Sequence, residues 1–333
     1  MIIYNPKYLE KPAIEDFKVR LEGLLELLKK SNVMDNGEIF LQNEFEPITI
    51  DYAIEVGHTE SLINDVSTSG FLNIALLSCG GVLKAVDEIF LKKCSNAFVT
   101  MVVGGHHAGP SSHWGFCYLN DVACAVHRIR SIYKKQKILY LDQDFHHGDG
   151  TEKFFRYDPD FFYIHAHGQR PGEKSGATVD KKYNHIDICM PRGIAGHDYC
   201  KIIEETLDFA LNQQKFEPDI IINYAGYDAH VLDAFNNRTI RLSYADFINL
   251  SNILVRLSER FCENRLLCIG GGGYSNKSID FPAVCTFNTI MVLAKEWDHL
   301  INENLNQEES DPFSRIKVNT ILKSLLKARY LIN

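Results

Sequence analysis

The sequence predicts an α/β fold: a single domain on a mainly parallel, doubly wound sheet with helices on both faces. Three observations predict it. Short apolar, β-branched runs alternate with amphipathic stretches of helical period, the pattern of parallel strands joined by crossover helices. Four strand-like runs stop at glycines accompanied by histidine, aspartate or tyrosine, and sites in such folds lie beyond the carboxyl ends of the strands. No Gly/Ser/Pro-rich linker, internal repeat or low-complexity segment divides residues 1–333, so one domain is expected.

In chain order, residues 17–30 set Val19, Leu21, Leu24, Leu25, Leu27 and Leu28 on a wide apolar face and end in lysines, an amphipathic helix. Residues 46–49 read as a short extended piece, and 52–55 and 61–66 as short helices around Gly57-His58. Residues 73–91 read as a long helix whose Gly80-Gly81 pair leaves room for a close helical neighbour. A buried strand over 97–103 stops at Gly104-Gly105, a helix covers 119–133, and the next strand covers 138–141. Strands follow at 161–164 and 186–189, then a helix at 198–213 and an isoleucine-rich strand at 218–224. The last elements are a helix over 244–262, a strand over 265–269 and a helix over 282–297.

Composition bounds the function. Apolar content of 45% and charged content of 23% are ordinary for a globular chain. A formal charge of −8 argues against a general grip on nucleic acid and favours cationic ligands near an acidic cleft. Nine scattered cysteines form no CxxC pair, and their odd number without a secretory leader reads as reduced thiols. The start Met1-Ile2-Ile3-Tyr4-Asn5-Pro6 has no basic region before an apolar run, and no stretch of about 18 apolar residues occurs. No signal peptide, no membrane span and a cytoplasmic location are therefore expected, with a nuclear or secreted-effector location left open.

Chemistry concentrates in Asp142-Gln143-Asp144-Phe145-His146-His147-Gly148-Asp149-Gly150. On an extended backbone residues i and i+2 share a face, so Asp142, Asp144 and His146 are expected on one side of the strand's carboxyl end. Oxygen and nitrogen donors without thiolate suit a hydrolytic Zn²⁺ that keeps an open position, with Fe²⁺, Co²⁺ or Mn²⁺ as alternatives. The plainer reading is a strand end with solvated charges. Gly105-His106-His107-Ala108 puts two adjacent histidines on a turn; the plainer reading is an exposed pair. Ala225-Gly226-Tyr227-Asp228 supplies a third carboxylate, otherwise a helix N-cap. Gly270-Gly271-Gly272-Gly273-Tyr274 lets backbone approach a ligand and delivers a phenol, and no Gly-Lys-Ser/Thr follows to make it a phosphate loop.

These motifs, with Gly115-Phe116-Cys117-Tyr118-Leu119-Asn120-Asp121, resemble the histone deacetylase and acetylpolyamine amidohydrolase superfamily of zinc-dependent deacetylases with an arginase-like fold. They stand in the family's order and cover about residues 17–297. The resemblance implies Asp144, His146 and Asp228 as metal ligands. It implies His106 and His107 as the histidines flanking the water, oriented by Asp142 and Asp149 respectively, with His107 as general base and acid. Tyr274 would hydrogen-bond the substrate carbonyl, Phe116 would wall a narrow acyl-lysine channel, and Gly115 would line it. The implied substrate is an acyl-lysine protein or peptide, or else a small acetylated amine; no nucleic acid or membrane partner is expected, and the oligomeric state is not legible.

Two places depart from the family's pattern. His165 stands where a serine often helps hold a structural potassium ion, which puts K⁺ on the main-chain oxygens of Asp142, Asp144 and His146 in question. Arg170 precedes Pro171-Gly172 where a second aromatic wall is usual, which opens or polarises the channel mouth. Trp114 and Phe235 could offer aromatic surface at the rim, with core packing the expected role of either, and 307–311 reads as a solvated turn. A two-metal ureohydrolase would want further aspartates where His147-Gly148 and Ala229-His230 stand, and a catalytically inactive acyl-lysine binding module would lack a ligand or the tyrosine.

Overall fold

Alternate residues of the central strands feed two separate apolar layers, and this is what covers the sheet on both faces. The computed structural model describes residues 1–35, 37, 39–170, 172–275, 281–303 and 309–330. Its strands are β1 (Ile2–Ile3), β2 (Leu41–Gln42), β3 (Asn96–Val99), β4 (Ile138–Asp142), β5 (Phe161–Gly168) and β6 (Gly176–Asp180). They continue with β7 (His185–Met190), β8 (Ile194–Ala195), β9 (Ile220–Ala225), β10 (Ile240–Arg241) and β11 (Leu266–Gly270). Nine form one sheet in the order β2-β1-β3-β11-β9-β4-β5-β7-β6, parallel throughout except that β6 runs antiparallel to β7. β8 and β10 make a separate pair.

Leu139, Leu141, Phe162, Ile164 and Ile221 point to one side, where they meet Ile203, Leu250 and Met291 of helices Gly196–Asp208, Tyr244–Phe261 and Phe281–Ala294. Ile138, Tyr140, Phe161, Tyr163 and Ile222 point to the other, against Val82 and Val86 of helix Leu72–Phe90 and Val122 and Val126 of helix Asp121–Tyr133. Burying one such side chain contributes about 1.5–3 kcal/mol, so the two layers together offset the cost of the polar groups gathered at the strand ends.

The differences from expectation have local causes. The strand at 97–103 pairs only as far as Val99; Val102 leaves the ladder, and its carbonyl accepts the Ala13 N–H. The strand at 161–164 instead runs on to Gly168, because His165 and His167, polar in sequence, are buried in register against β7. Helix Glu15–Ser31 buries Phe17, Arg20, Leu21, Leu24 and Leu28 and leaves Val19 outside. Gly80 meets the irregular segment at Glu46 and Pro47, Gly81 meets Ile3, Phe45 and the Tyr8 hydroxyl of the short 3-10 helix Pro6–Leu9, and 46–49 forms no strand. Helix Pro312–Tyr330 lies beyond the last expected element. Of the turn expected at 307–311, residues 307 and 308 lie outside the described residues, and Asp311 caps that helix by accepting the Phe313 and Ser314 N–H groups. Ser310 beside it is buried, its hydroxyl oxygen accepting the Ala195 N–H. Among the described residues no single helix is long and apolar enough to cross a membrane.

Candidate active site

β3, β4, β9 and β11 are neighbours at the middle of the sheet, and the segments leaving their carboxyl ends converge. The His106-His107 turn is tied down from three sides. The Gly105 N–H donates to the Tyr224 hydroxyl at 3.0 Å, and the Thr151 N–H to the His106 carbonyl at 3.0 Å. Asn120, the N-cap of helix Asp121–Tyr133, donates from Nδ2 to the carbonyls of Gly105 and Ala108 at 3.2 and 2.9 Å. A side chain on Gly150 would meet the His107 and Ala108 backbone, so only glycine lets the two segments touch.

Donor atoms of Asp144, His146 and Asp228 all lie within 4.8 Å of one another. His146 Nδ1 is 2.7 Å from Asp228 Oδ2 and 3.4 Å from Asp144 Oδ1. The outer carboxylate oxygens are occupied from behind: the Gly272 N–H donates to Asp144 Oδ2 and the Phe145 N–H to Asp228 Oδ1, each at 2.7 Å. Asp142 does not join this group. Its Oδ2 takes the Tyr140 hydroxyl at 2.7 Å and faces His106 Nδ1 at 3.2 Å, while its Oδ1 accepts the Asp144 N–H. His107 Nδ1 is 3.1 Å from Asp149 Oδ1, which also accepts the Trp114 indole N–H at 2.9 Å; Lys153 holds the other oxygen at 2.7 Å.

The electrostatics follow burial and charge. Burial, with the neighbouring His106, takes the His107 imidazole down to about 4. Burial opposes ionisation of Asp144, yet His106 and His146 hold it well below the usual carboxylate range. Burial and the Asp144 charge push Asp228 up to about 7. Burial would lower His146, but hydrogen bonds to Asp144 and Asp228 outweigh it and raise the imidazole to about 11. The protonated His146 imidazole meets the two buried carboxylates, and a bound cation would take the place of its proton. The donor set of two carboxylates and one imidazole, backed by fixed N–H donors, fits a divalent cation with open positions.

Tyr274 stands on the glycine loop after β11, its ring 6.2 Å from that of His146. Asp233 fixes it by accepting the Tyr274 N–H at 2.7 Å, and Arg20 steadies the loop by donating to the Gly271 and Gly272 carbonyls at 2.9 and 3.1 Å. Burial raises the Tyr274 phenol well above its ordinary value. Phe116 is part-exposed, its ring 6.2 Å from Phe17 and 6.3 Å from Tyr274. Gly115, at φ +59°, lies against His107: an added Cβ would stand 2.6 Å from its Cδ2.

The ten residues to which the resemblance gives site roles all lie in this one place. Trp114 and Phe235 are not core residues. They are 48% and 54% exposed, Trp114 stacked on His107 at 3.7 Å and Phe235 edge-on to Tyr274 at 4.7 Å. Arg170 is largely exposed beside Glu173, and the adjoining Pro171 lies outside the described residues. His165 Nε2 lies 3.4 Å from the Asp144 carbonyl, so an imidazole nitrogen rather than a serine hydroxyl faces that oxygen. Arg20, Asp233 and Tyr140 escaped the sequence reading. Arg20 alone left a trace there, as a charge spaced with Phe17 and Leu24 on a helix's apolar stripe.

The family profile of the histone deacetylase domain matches residues 21–290, and the chain belongs to that family. A probable deacetylase of Archaeoglobus fulgidus is 29% identical over 300 residues, covering 82% of this chain and 81% of the relative. The histone deacetylase-like amidohydrolase of Pseudomonas aeruginosa is 28% identical over 221 residues, or 64% of this chain and 56% of that protein. Histone deacetylase 14, chloroplastic, of Arabidopsis thaliana is 29% identical, over 70% of this chain and 57% of its own length, so this chain spans little more than half of some relatives. The crystal structure of the HDA15 HD domain shares the fold, with a TM-score of 0.77 at 21% identity, covering 98% of this chain and 96% of that one.

Proposed function

We propose that this chain is a zinc-dependent deacetylase that removes acetyl or other acyl groups from lysine side chains of proteins. One observation carries the reading: the Asp144, His146 and Asp228 donor group stands beside two histidines, each backed by its own carboxylate. The residues fit Zn²⁺, with Fe²⁺ or another divalent ion as alternatives. When bound, such an ion polarises an amide carbonyl and brings a water's pKa toward neutrality.

The chain's own residues do the rest. His107, kept neutral by burial, accepts the attacking water's proton on Nε2, and Asp149 steadies the resulting imidazolium through Nδ1. The same nitrogen then returns the proton to the departing amine. His106 is held in one tautomer by Asp142. Tyr274, protonated far above neutral pH, donates to the oxyanion developing at the scissile carbonyl. Phe116 offers a flat apolar wall to a lysine stem, and the bare Gly115 leaves room beside His107.

Removal of acetyl groups from small amines is the second reading, because the resemblance puts Arg170, exposed beside Glu173, where a second aromatic wall is usual. Turnover of metal-loaded protein on acetyl-lysine peptides, longer acyl-lysines and acetylpolyamines separates them. Preference for acyl-lysine peptides supports the proposal, preference for acetylpolyamines supports the alternative, and no turnover on any of them overturns both.

A further inference from the structure

A second cluster of ligating side chains lies on the far side of His165 from the catalytic group, and the hydrolysis described above does not use it. His165 and His167 are two residues apart on β5 and leave the same side of the sheet. β7 pairs with β5 in register and sets Asp187 directly opposite His165. His147 comes down on them from the segment after β4. Its Nε2 is 3.6 Å from Asp187 Oδ1, and His165 Nδ1 is 3.9 Å from the same oxygen. The three rings stand 5.1–5.2 Å from one another, and His165 and His167 are 0% and 1% exposed.

The distances to Asp187 are too long for hydrogen bonds, yet they suit a shared ion. That ion would displace His147 Nε2 from Glu152 Oε2 at 3.3 Å, and His165 Nδ1 from the Gly148 N–H at 3.4 Å and the Tyr163 hydroxyl at 3.3 Å. Donors bonded at about 2.1 Å in a tetrahedral zinc site lie roughly 3.4 Å apart. An independent observation points the same way. His167 Nε2 and Asp187 Oδ1 are buried and make no hydrogen bond among the described residues; the nearest carboxylate oxygen to His167 Nε2 is Asp187 Oδ2, at 3.5 Å. Buried polar atoms are almost always satisfied, so two orphans in one nest call for a ligand.

We propose that His147 Nε2, His165 Nδ1 and Asp187 Oδ1, which lie within 4.8 Å of one another, bind a second divalent transition-metal ion. Imidazole with one carboxylate selects Zn²⁺, Co²⁺, Ni²⁺ or Fe²⁺ over Mg²⁺ or Ca²⁺. Metal on Nδ1 leaves the His165 proton on Nε2, which faces the Asp144 carbonyl at 3.4 Å and Asp142 Oδ1 at 3.9 Å. The second ion thereby braces the segment that carries a catalytic ligand. The neighbouring group His167, Glu173 and Cys189 is the weaker candidate, because its sulfur is a buried thiol that must lose its proton before it ligates.

Equilibrium dialysis of the full chain against Zn²⁺, read by elemental analysis, tests this. Two equivalents are expected for the parent chain, and one each for Asp228→Ala, Asp187→Asn and His147→Gln. Asp228→Ala combined with His147→Gln should hold none. A single equivalent in the parent chain, lost with Asp228→Ala, overturns the second site and leaves the catalytic one standing; two equivalents retained by both Asp187→Asn and His147→Gln overturn it as well. Should either variant misfold by near-ultraviolet circular dichroism, anomalous diffraction from zinc-soaked parent crystals decides. A peak between His147, His165 and Asp187 supports the site, and no peak there at saturating zinc refutes it.

Discussion

The Trp114 indole lies on the His107 imidazole, ring centres 3.7 Å apart, and its N–H donates to the same Asp149 oxygen that faces His107 Nδ1. The indole therefore covers the proposed general base and tightens the carboxylate that orients it. Losing one hydrogen bond to a charged group, about 1.5 kcal/mol, corresponds to roughly tenfold in rate. Trp114→Ala should lower kcat by about that factor, with Trp114→Phe between it and the parent. Steady-state kinetics check it; a change confined to KM would make Trp114 a substrate contact instead.

Tyr274→Phe should keep fold and metal content while losing about 10²–10³ in kcat, the usual cost of one oxyanion donor. The thermal midpoint and zinc content control for collapse of the loop that Asp233 and Arg20 hold. Near-parent turnover would remove Tyr274 from the chemistry.

Gly115→Ala combines a left-handed backbone with a Cβ set 2.6 Å from the His107 ring. The conformational penalty alone is about 1 kcal/mol. Displacing His107 should add a fall of at least about tenfold in kcat, since small misplacements of catalytic groups are costly. Chemical denaturation and turnover measured together check both parts, and unchanged turnover would show that His107 is not held from this side.

The Glu152 carboxyl is held down at about 2, first by its hydrogen bond with His185 at 3.1 Å. A folded-state pKa below the ordinary 4.5 means stabilisation that is present above 4.5 and lost as pH falls through about 2. Glu152→Gln should therefore be less stable than the parent at pH 6, with the gap closing as pH drops from about 4.5 toward 2. Urea midpoints across that range check it; a gap independent of pH would contradict the ion-pair origin.

Much of the site was legible because each part follows an apolar strand and carries an unusual residue set. Asp228 and Tyr274 stand out beside their glycines in this way, and the resemblance then assigned their roles. What was not legible depends on tertiary contact. Arg20 reaches the glycine loop across some 250 positions of chain, as its hydrogen bonds to Gly271 and Gly272 record. β5 looked short because His165 and His167 resemble loop residues until β7 buries them. Trp114, apolar enough for the core, is instead drawn to the surface by an imidazole and a carboxylate.

Anomalous diffraction at the zinc edge, from crystals grown with added Zn²⁺, tests the central claim most directly. The account predicts a peak about 2.0–2.2 Å from a donor atom of each of Asp144, His146 and Asp228. A fully active, zinc-saturated chain with no peak among those three side chains would contradict it.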